Sequence, residues 1–565
     1  MSRTSVYRLV CALIAVSILT SAAWVRIVPA KHGLPYLGYL DEGHVLHQVL
    51  WTVRTKSWDN GWFFYPSLPF YLSSAVILAY APIYAKIHGH DIVQDFPPLV
   101  RNDSPYKRQE YYSLVSPSEV IYISRLVVAI GGLATVVFAG LLAWRLHGVN
   151  AGLLAGALSG WCPSLVSRSS IVIVDTLAAC FAMAALLVAC KLCRQWQPAH
   201  SADSADSNVC SFKGYYAYSL LAGLMSGFAF ACKYPVGAVV GAAGLAVLLS
   251  PHSWVQKLCG WAALALGSFL GVLIGMPSLF FRFASVVKFQ KSQIGMYAAR
   301  RSGPTYLDQL LLPGEVGWLL LALTVPGLIY ALYNRRSRVF TLSCIAFTIV
   351  LLAPLLTQHF QPLRNILCLI PLMCVFAALV MAEGLERVGG LIGNWTAHHS
   401  TRWFALAGVT ILVAAGLTNF VKVYAKKPIA VQSRTEMMQW AATNLTRSSR
   451  LLVLEDITFA PSELAKIPGT VRQVKWQAME QELTEHKYDY VVTSSLRLPP
   501  LPRNKKPGPP SVPEVKLNAL KNLLTKLPVR QEFGAHDLVL ASNLFVNAHV
   551  KVSMRAVPEM LAGEK

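Results

Sequence analysis

The sequence predicts an α-helical polytopic membrane protein that carries a small α/β domain at its C-terminal end. Three observations predict it. Of 565 residues, 54% are hydrophobic and only 14% charged, with a mean hydropathy of +0.46; a soluble chain carries about a quarter charged residues. Apolar stretches of roughly 20 residues recur, each long enough to cross a hydrocarbon core of about 30 Å. After Tyr424 the pattern changes to mixed polar segments of ordinary globular character.

The first span runs from Leu9 to Val28. It reaches Arg26 without a small-residue cleavage site, and further spans follow, so it reads as an anchor and not as a cleaved signal. Its N-terminus, with Arg3 and Arg8, is expected in the cytoplasm. Ten more candidates follow: Glu119–Trp144, Asn150–Ser164, Ile171–Leu192, Tyr215–Cys232, Pro235–Leu249, Leu258–Phe280, Glu315–Tyr333, Val339–Leu356, Ile366–Met381 and Trp403–Val423. Pro66–Lys86 is long enough as well, but it contains Pro66, Pro69, Ser73, Ser74 and Pro82.

Parity arbitrates. If Pro66–Lys86 stops short of crossing, the basic cluster Asn334–Arg338 and the polar loop Arg194–Lys213 fall in the cytoplasm. If it crosses, the arginines fall outside, against the positive-inside rule. The expectation is therefore about eleven transmembrane helices, with Pro66–Lys86 an interfacial or re-entrant helix. Gly33–Ser118, Arg282–Pro313 and everything after Tyr424 then lie on the external face. The domains are expected at 1–424, membrane, and 425–565, external.

In the second of these, Arg434–Leu445 has helical periodicity, whereas Arg450–Glu455, Tyr488–Val492 and Asp537–Leu540 read as strands. Leu498–Val512 is rich in Pro and Lys and reads as an extended loop. No Gly-rich phosphate loop or catalytic constellation stands out here, which suits accessory packing or acceptor recognition.

A net charge of +22 raises the question of nucleic acid, but no nucleic-acid module is visible. Positive-inside loops and contacts with anionic headgroups or a lipid phosphate account for the charge. The 11 cysteines fall almost entirely in or beside predicted spans and show no metal-type spacing; Cys190 and Cys193 form a C-x-x-C at a span end, away from any strand. No internal repeat is evident, which weighs against a secondary transporter.

Chemistry is most readily placed at Asp41-Glu42, just past the first span. An acidic pair in a loop ordinarily means solvation or helix capping. Here it precedes Trp58-Asp59-Asn60-Gly61-Trp62-Phe63-Phe64-Tyr65-Pro66, an aromatic loop expected to fold back on the membrane, where a positioned carboxylate can take a proton from a polar acceptor. His44 follows the pair. His44 and His359 lack helical ligand spacing, so no metal site is assigned; a divalent ion is left open without support. Basic residues at span ends, Lys233, Arg364 and Arg168 (in a short external turn before Asp175), read either as snorkelling anchors or, taken together with Asp175, as a phosphate site. Arg125 reads as a partner of Glu119 or of a headgroup. Arg282–Pro313 mixes Lys288, Lys291, Arg300 and Arg301 with Phe289, Tyr297 and Tyr306, a composition suited to the interface and to contact with a lipid carrier.

In order and spacing these motifs resemble the GT-C glycosyltransferases that include protein O-mannosyltransferases and aminoarabinose–lipid A transferases. The resemblance rests on Asp41-Glu42, on Tyr65-Pro66-Ser67-Leu68-Pro69 in place of a "PPL" element, and on Ser124-Arg125-Leu126. It continues through Asp175 after Ser167-Arg168-Ser169, Gly223–Tyr234 with its Lys233, and Leu363-Arg364-Asn365 entering a span that contains Pro371. It covers roughly Tyr7 to Tyr424.

The resemblance implies a transferase that uses a polyprenyl-phosphate-linked sugar on the external face of a bacterial cytoplasmic membrane. Its acceptor would be a hydroxyl of a lipid, glycan or protein. It implies Asp41 as general base, Glu42 as orienter, and Lys233, Arg168 and Arg364 on the phosphate. Two departures stand out. Tyr65 replaces the basic residue that aminoarabinose transferases place before their prolines, and the histidine that mannosyltransferases have there is missing. The rival readings are a transporter or lipid flippase, with charges near the bilayer midplane, and a non-catalytic subunit of a cell-envelope assembly. The latter would tolerate changes at Asp41 and Glu42.

Overall fold

The structure, a computed structural model, describes residues 3–31, 33–34, 37, 41–96, 117–194, 212–299, 303–312, 314–393, 401–420, 433–454, 467–474, 482, 488–494, 529–533 and 552–556. The chain forms two compact units. One comprises Met1–Lys31, His44–Gln109 and Ser116–Pro428; the other comprises His32–Gly43, Glu110–Val115 and Ile429–Lys565.

The first unit is a helical bundle. α1 (Arg3–Ile27) is followed by α2 (Glu42–Thr55), whose opening residues belong to the second unit, and by α3 (Leu68–His88). Gly89, at φ 77°, closes α3 with its N–H on the Ala85 carbonyl, the left-handed cap that glycine adopts without strain. α4 (Ser118–His147) turns at Gly148 into α5 (Val149–Trp161), and α6 (Pro163–Ser169) leaves α5 at 58°. Pro163 explains the break: its ring lacks the N–H that a continuing helix needs, and it suits the first turn of a new one.

α7 (Asp175–Arg194) and α8 (Phe212–Cys232) come next. A 3-10 turn at Tyr234–Ala238 leads into α9 (Val239–Leu248), and α10 (Trp254–Gly275) follows. α8 and α10 touch backbone to backbone. A Cβ at Gly223 would lie 2.1 Å from the Leu264 carbonyl oxygen, and one at Gly267 would lie 2.0 Å from that of Leu220. The G-x-x-x-G spacings Gly223/Gly227 and Gly267/Gly271 are thus a packing device for membrane helices.

The segment expected as a loop at Arg282–Pro313 is largely helical. α11 (Ser278–Phe281) precedes it, and α12 (Phe283–Ala299) and α13 (Tyr306–Leu311) occupy most of its described part, while Arg300 and Arg301 lie outside the described residues. At α13 the Thr305 side chain accepts from Asp308 N and the Asp308 carboxylate from Thr305 N, a capping box legible as T-x-x-D. α14 (Trp318–Tyr333), α15 (Arg338–Leu356), α16 (Ile370–Gly393, entered through a 3-10 turn at Leu363–Leu369) and α17 (Thr401–Phe420) complete the bundle.

Contacts between helix ends sort the bundle into two faces. Arg26, ending α1, donates to the Gly160 and Ser159 carbonyls at the end of α5 (2.8 and 3.2 Å). Arg125, near the start of α4, donates to the Ala30 carbonyl just past α1 (3.0 Å), a backbone strap between the two helices. At the other face Tyr7 of α1 meets Asn150 of α5 (3.5 Å) and the Trp403 ring of α17 (5.5 Å). Tyr330 of α14 meets His147 of α4 (3.2 Å) and Glu383 of α16 (3.0 Å).

Among the described residues eight helices are long and apolar enough to cross a membrane, nine with the bent α5–α6 pair, and three shorter apolar helices add to them. Leu68–His88 is among the eight. It is a single unbroken helix, a candidate span by length and composition and not a bent pair. At one end a Cβ on Gly275, where α10 stops, would lie 3.3 Å from the Leu68 Cβ and 2.5 Å from that of Ala231 near the end of α8. At the other, the Tyr84 hydroxyl donates to Asp95 Oδ2 at 2.6 Å. With α3 set aside, α1, α4, α5, α7, α8, α9, α10, α14, α15, α16 and α17 are eleven candidate passes among the described residues.

The second unit carries a five-stranded sheet. α18 (Ser433–Asn444) precedes β1 (Arg450–Leu454), β2 (Thr470–Val474), β3 (Tyr490–Ser494), β4 (Val529–Phe533) and β5 (Val552–Ala556). The strand order is β2-β1-β3-β5-β4, with β1 parallel to β2 and β3, and β5 antiparallel to β3 and β4. Met437, Met438 and Ala441 of α18 pack on Leu451, Val453 and Val492, the alternating inward face of the strands. The expected strand Asp537–Leu540 and loop Leu498–Val512 lie outside the described residues.

Candidate functional site

The bundle face where α1 ends gathers buried charge. Lys233, just past α8, donates to the Asp175 carboxylate at the first residue of α7, to Asn365 Oδ1 at 2.9 Å and to the Arg364 carbonyl at 3.2 Å. Asp175 Oδ1 and Lys233 Nζ are an ion pair whose side chains are only 3% and 9% exposed. An ammonium has three N–H donors, and all three of Lys233 have acceptors. Lys233 thereby ties the starts of α7 and of the Leu363–Leu369 turn together and holds the backbone of Arg364, whose side chain is half-buried.

Arg168 forms the second assembly. The sequence reading put it in a short turn; it lies on α6, buried, because Pro163 starts a new helix there. Its Nη1 donates to Glu315 Oε2 at 2.7 Å and to the Ser164 carbonyl at 3.3 Å, and Nη2 donates to Glu315 Oε1 at 3.4 Å. Ser164 adds its hydroxyl to Glu315 Oε2 and its N–H to the Glu315 carbonyl (3.1 Å). The two assemblies are joined by Thr176, whose hydroxyl donates to the Arg168 carbonyl at 2.8 Å.

Taking these charges out of water costs several kcal/mol per ion, and near-complete pairing offsets that cost. The arrangement makes a rigid polar floor at one end of an apolar bundle. Sequence reasoning missed Glu315 as a partner of Arg168; the available signal was a carboxylate at the very start of a span. Asn365 was noticed only as part of a motif.

The aromatic loop is fixed to this face. The Phe63 carbonyl accepts from Gln290 of α12 (2.8 Å) and from Tyr234 (3.1 Å), and Asp59 pairs with Arg282 (3.1 Å). Tyr65 is half-buried, edge-on to Trp62 at 5.6 Å between ring centroids. His44 stacks on Trp62 at 5.9 Å. Burial pushes the His44 imidazole down to about 4, and burial with the neighbouring His44 does the same to His47. Both rings are neutral at pH 7.

Asp41 is half-buried in the turn before α2, and Glu42, at the first helical residue, is fully buried. Both belong to the second compact unit, whereas His44, Tyr65, Arg168, Asp175, Lys233 and Arg364 belong to the first.

No family model matches the sequence, and no curated protein matches it. Among solved structures the chain is similar to ArnT from Cupriavidus metallidurans bound to undecaprenyl phosphate, at 14% identity and TM-score 0.48, over 97% of this chain and 99% of that one. The same protein in the apo state gives 15% identity and TM-score 0.46, over 100% of both chains. The oligosaccharyltransferase of Archaeoglobus fulgidus in its apo form gives 12% and 0.44, over 86% of this chain and 69% of that one. At these scores the likeness assigns neither reaction nor substrate to this chain.

Proposed function

We propose that this protein is a membrane glycosyltransferase that moves a glycosyl group from a polyprenyl-phosphate donor to a hydroxyl on a lipid, glycan or protein, with inversion. The siting of charge carries the reading. Arg168, Asp175, Lys233, Glu315 and Arg364 all sit at helix ends on one face, and among the described residues the charges inside α16, Glu383, Glu386 and Arg387, lie toward the opposite face, beside His147 at the end of α4. A carrier or flippase places such groups along the path through the bilayer; an enzyme of the membrane surface places them at its mouth. The opposite face bears the exposed Arg335, Arg336 and Arg338, which supports a cytoplasmic location there and an external one for the charged floor.

In this reading the acceptor oxygen forms a bond to the anomeric carbon as the bond from that carbon to the phosphate oxygen breaks. The acceptor proton passes to Asp41, and the electron pair leaves with the polyprenyl phosphate. Glu42 orients Asp41 or the acceptor. Arg364 meets the phosphate, with its backbone held by Lys233. Arg168 and Asp175, through Glu315 and Lys233, keep the floor in shape, and His44 and Tyr65 line the acceptor or sugar side. The segment 425–565 serves acceptor recognition or packing. A hydroxyl is a weak nucleophile, so a positioned base contributes typically 10²–10⁴-fold, whereas the departing phosphate needs cations and no acid.

The test is transfer of label from polyprenyl-phosphate sugars in vesicles carrying wild type or Asp41→Asn. Wild type transfers label, and the variant loses about 10²–10⁴-fold while unfolding at the same temperature. Undiminished transfer by the variant removes Asp41 from the mechanism. No transfer by wild type from any polyprenyl-phosphate sugar overturns the reaction class.

A further inference from the structure

On the bundle face opposite the charged floor, His147 at the end of α4 faces two carboxylates one helical turn apart on α16, Glu383 and Glu386. His147 Nε2 lies 3.6 Å from Glu383 Oε2 and 3.8 Å from Glu386 Oε2. The nitrogen is buried from solvent and has no hydrogen-bond partner among the described residues. The three ligand atoms lie within 4.8 Å of one another.

The surrounding hydrogen bonds decide what Nε2 carries. The Tyr330 hydroxyl donates to Glu383 Oε2 at 3.0 Å, and with its one proton so used, its oxygen can only accept. It accepts from Asn334 Nδ2 at 3.3 Å and faces His147 Nδ1 at 3.2 Å. The proton of the neutral ring is therefore on Nδ1, an assignment made from the network. Nε2 is then a lone pair turned toward two anionic oxygens, an arrangement that repels unless a cation stands between them. A proton alone fits poorly, because a charge-assisted N–H···O bond spans about 2.7–2.9 Å and both separations are far longer. A metal ion fits. With ligands at about 2.0–2.2 Å in tetrahedral geometry, neighbouring ligand atoms stand about 3.4 Å apart, close to the distances found. The Tyr330–His147 contact is the outer-shell hydrogen bond that metal-ligating histidines use to fix ring and tautomer.

We infer that His147, Glu383 and Glu386 bind a divalent transition-metal ion of the zinc class, which clamps the end of α4 to the second half of α16 beside α14. The donor set of one imidazole and two carboxylates suits Zn2+ and leaves a fourth position for water. Arg387 donates to the other oxygen of Glu383 at 2.5 Å, and Oε2, which accepts from Tyr330 with one lone pair, keeps a second lone pair for the ion. The inference stands apart from the glycosyltransferase reading and uses none of its residues.

The test is uptake of Zn2+ by the full chain, purified in detergent, stripped with chelator and dialysed against buffered Zn2+. Bound metal is measured by atomic emission, and unfolding temperature is measured with and without the ion. Wild type takes up one ion per chain and unfolds at higher temperature when loaded. Glu386→Gln and His147→Gln bind roughly tenfold or more weakly, as loss of a ligand costs at least as much as loss of its outer-shell partner. Glu386 is 42% exposed, so its substitution leaves the bundle folded and the comparison readable. Absence of uptake by wild type, or equal uptake by wild type and Glu386→Gln, overturns the site and leaves the ring to a proton.

Discussion

The two ends of the membrane bundle both carry charge, but in different ways. At the floor end Lys233 and Arg168 are buried, with side chains 9% and 5% exposed, each against a buried carboxylate and further acceptors. At the opposite end Arg335, Arg336 and Arg338 are exposed and Arg387 is 73% exposed. Exposed arginines set orientation at almost no cost, since water solvates them. Buried ones persist only where hydrogen bonds and opposite charge replace that water, and replacing them with apolar groups of similar volume is often neutral or stabilising. Two such assemblies at one end therefore add little net stability for the charge they bury, and the phosphate site proposed above lies at that end.

The largest effect expected on this contrast follows from cutting one side of a buried pair. Lys233→Met leaves the Asp175 carboxylate buried without its cation and destabilises the protein by about 3–5 kcal/mol; Lys233→Met with Asp175→Leu recovers most of that. Arg338→Gln at the other end shifts stability by less than about 0.5 kcal/mol. Unfolding in detergent measures all three. Equal stability of the two single variants would erase the difference between the ends.

Acid titrates the floor end next. His44 and His47 have folded pKa values lowered from 6.5 to about 4 by burial. Between those values the unfolded chain binds more protons than the folded one, so stability is fully present above about pH 6.5 and falls as pH drops toward 4. Each ring contributes at most about 3.4 kcal/mol across that window. The slope of unfolding temperature against pH checks this, and His44→Gln should flatten it. A profile of equal slope in wild type and His44→Gln would show the ring to be hydrated.

Glu315→Gln is a gentler cut. The amide oxygen still accepts from Ser164 and Arg168, but the charge opposite Arg168 is gone, and a loss of about 1–3 kcal/mol is expected. Arg168→Met in the same background should recover part of it. Additive losses would mean that the two side chains are not coupled.

These assemblies also mark how far the amino-acid pattern could be read. Spans and the basic cluster at Asn334–Arg338 were legible because apolar length and loop charge are local properties of the chain. The strands Arg450–Leu454 and Tyr490–Ser494 and the helix Ser433–Asn444 were legible from periodicity in the same way. Lys233, Asp175, Arg168 and Arg364 were legible as charges at span ends, but their partners were not. Glu315 lies 147 residues from Arg168 and Asn365 lies 132 from Lys233, and no local rule joins such positions. The bend at Cys162–Pro163 and the capping box at Thr305–Asp308 were local signals that were passed over, which is why Arg168 was expected in a turn and α13 in a loop.

The smallest expected effect tests the comparison from the other end. In metal-free protein Glu386→Gln should change stability by less than about 0.5 kcal/mol, as removing an exposed ionic contact does. Its carboxylate is 42% exposed and stands 3.8 Å from His147 Nε2, too far for a hydrogen bond, so water replaces what the substitution removes. The same change of acid to amide at Asp175, 3% exposed and directly bonded to Lys233, strips a buried ammonium of its counter-charge and should cost several times as much. If Glu386→Gln in metal-free protein proved as damaging as Asp175→Asn, burial would not be what separates the two ends. A direct charge contact between His147 and Glu386 would then have to account for the opposite face.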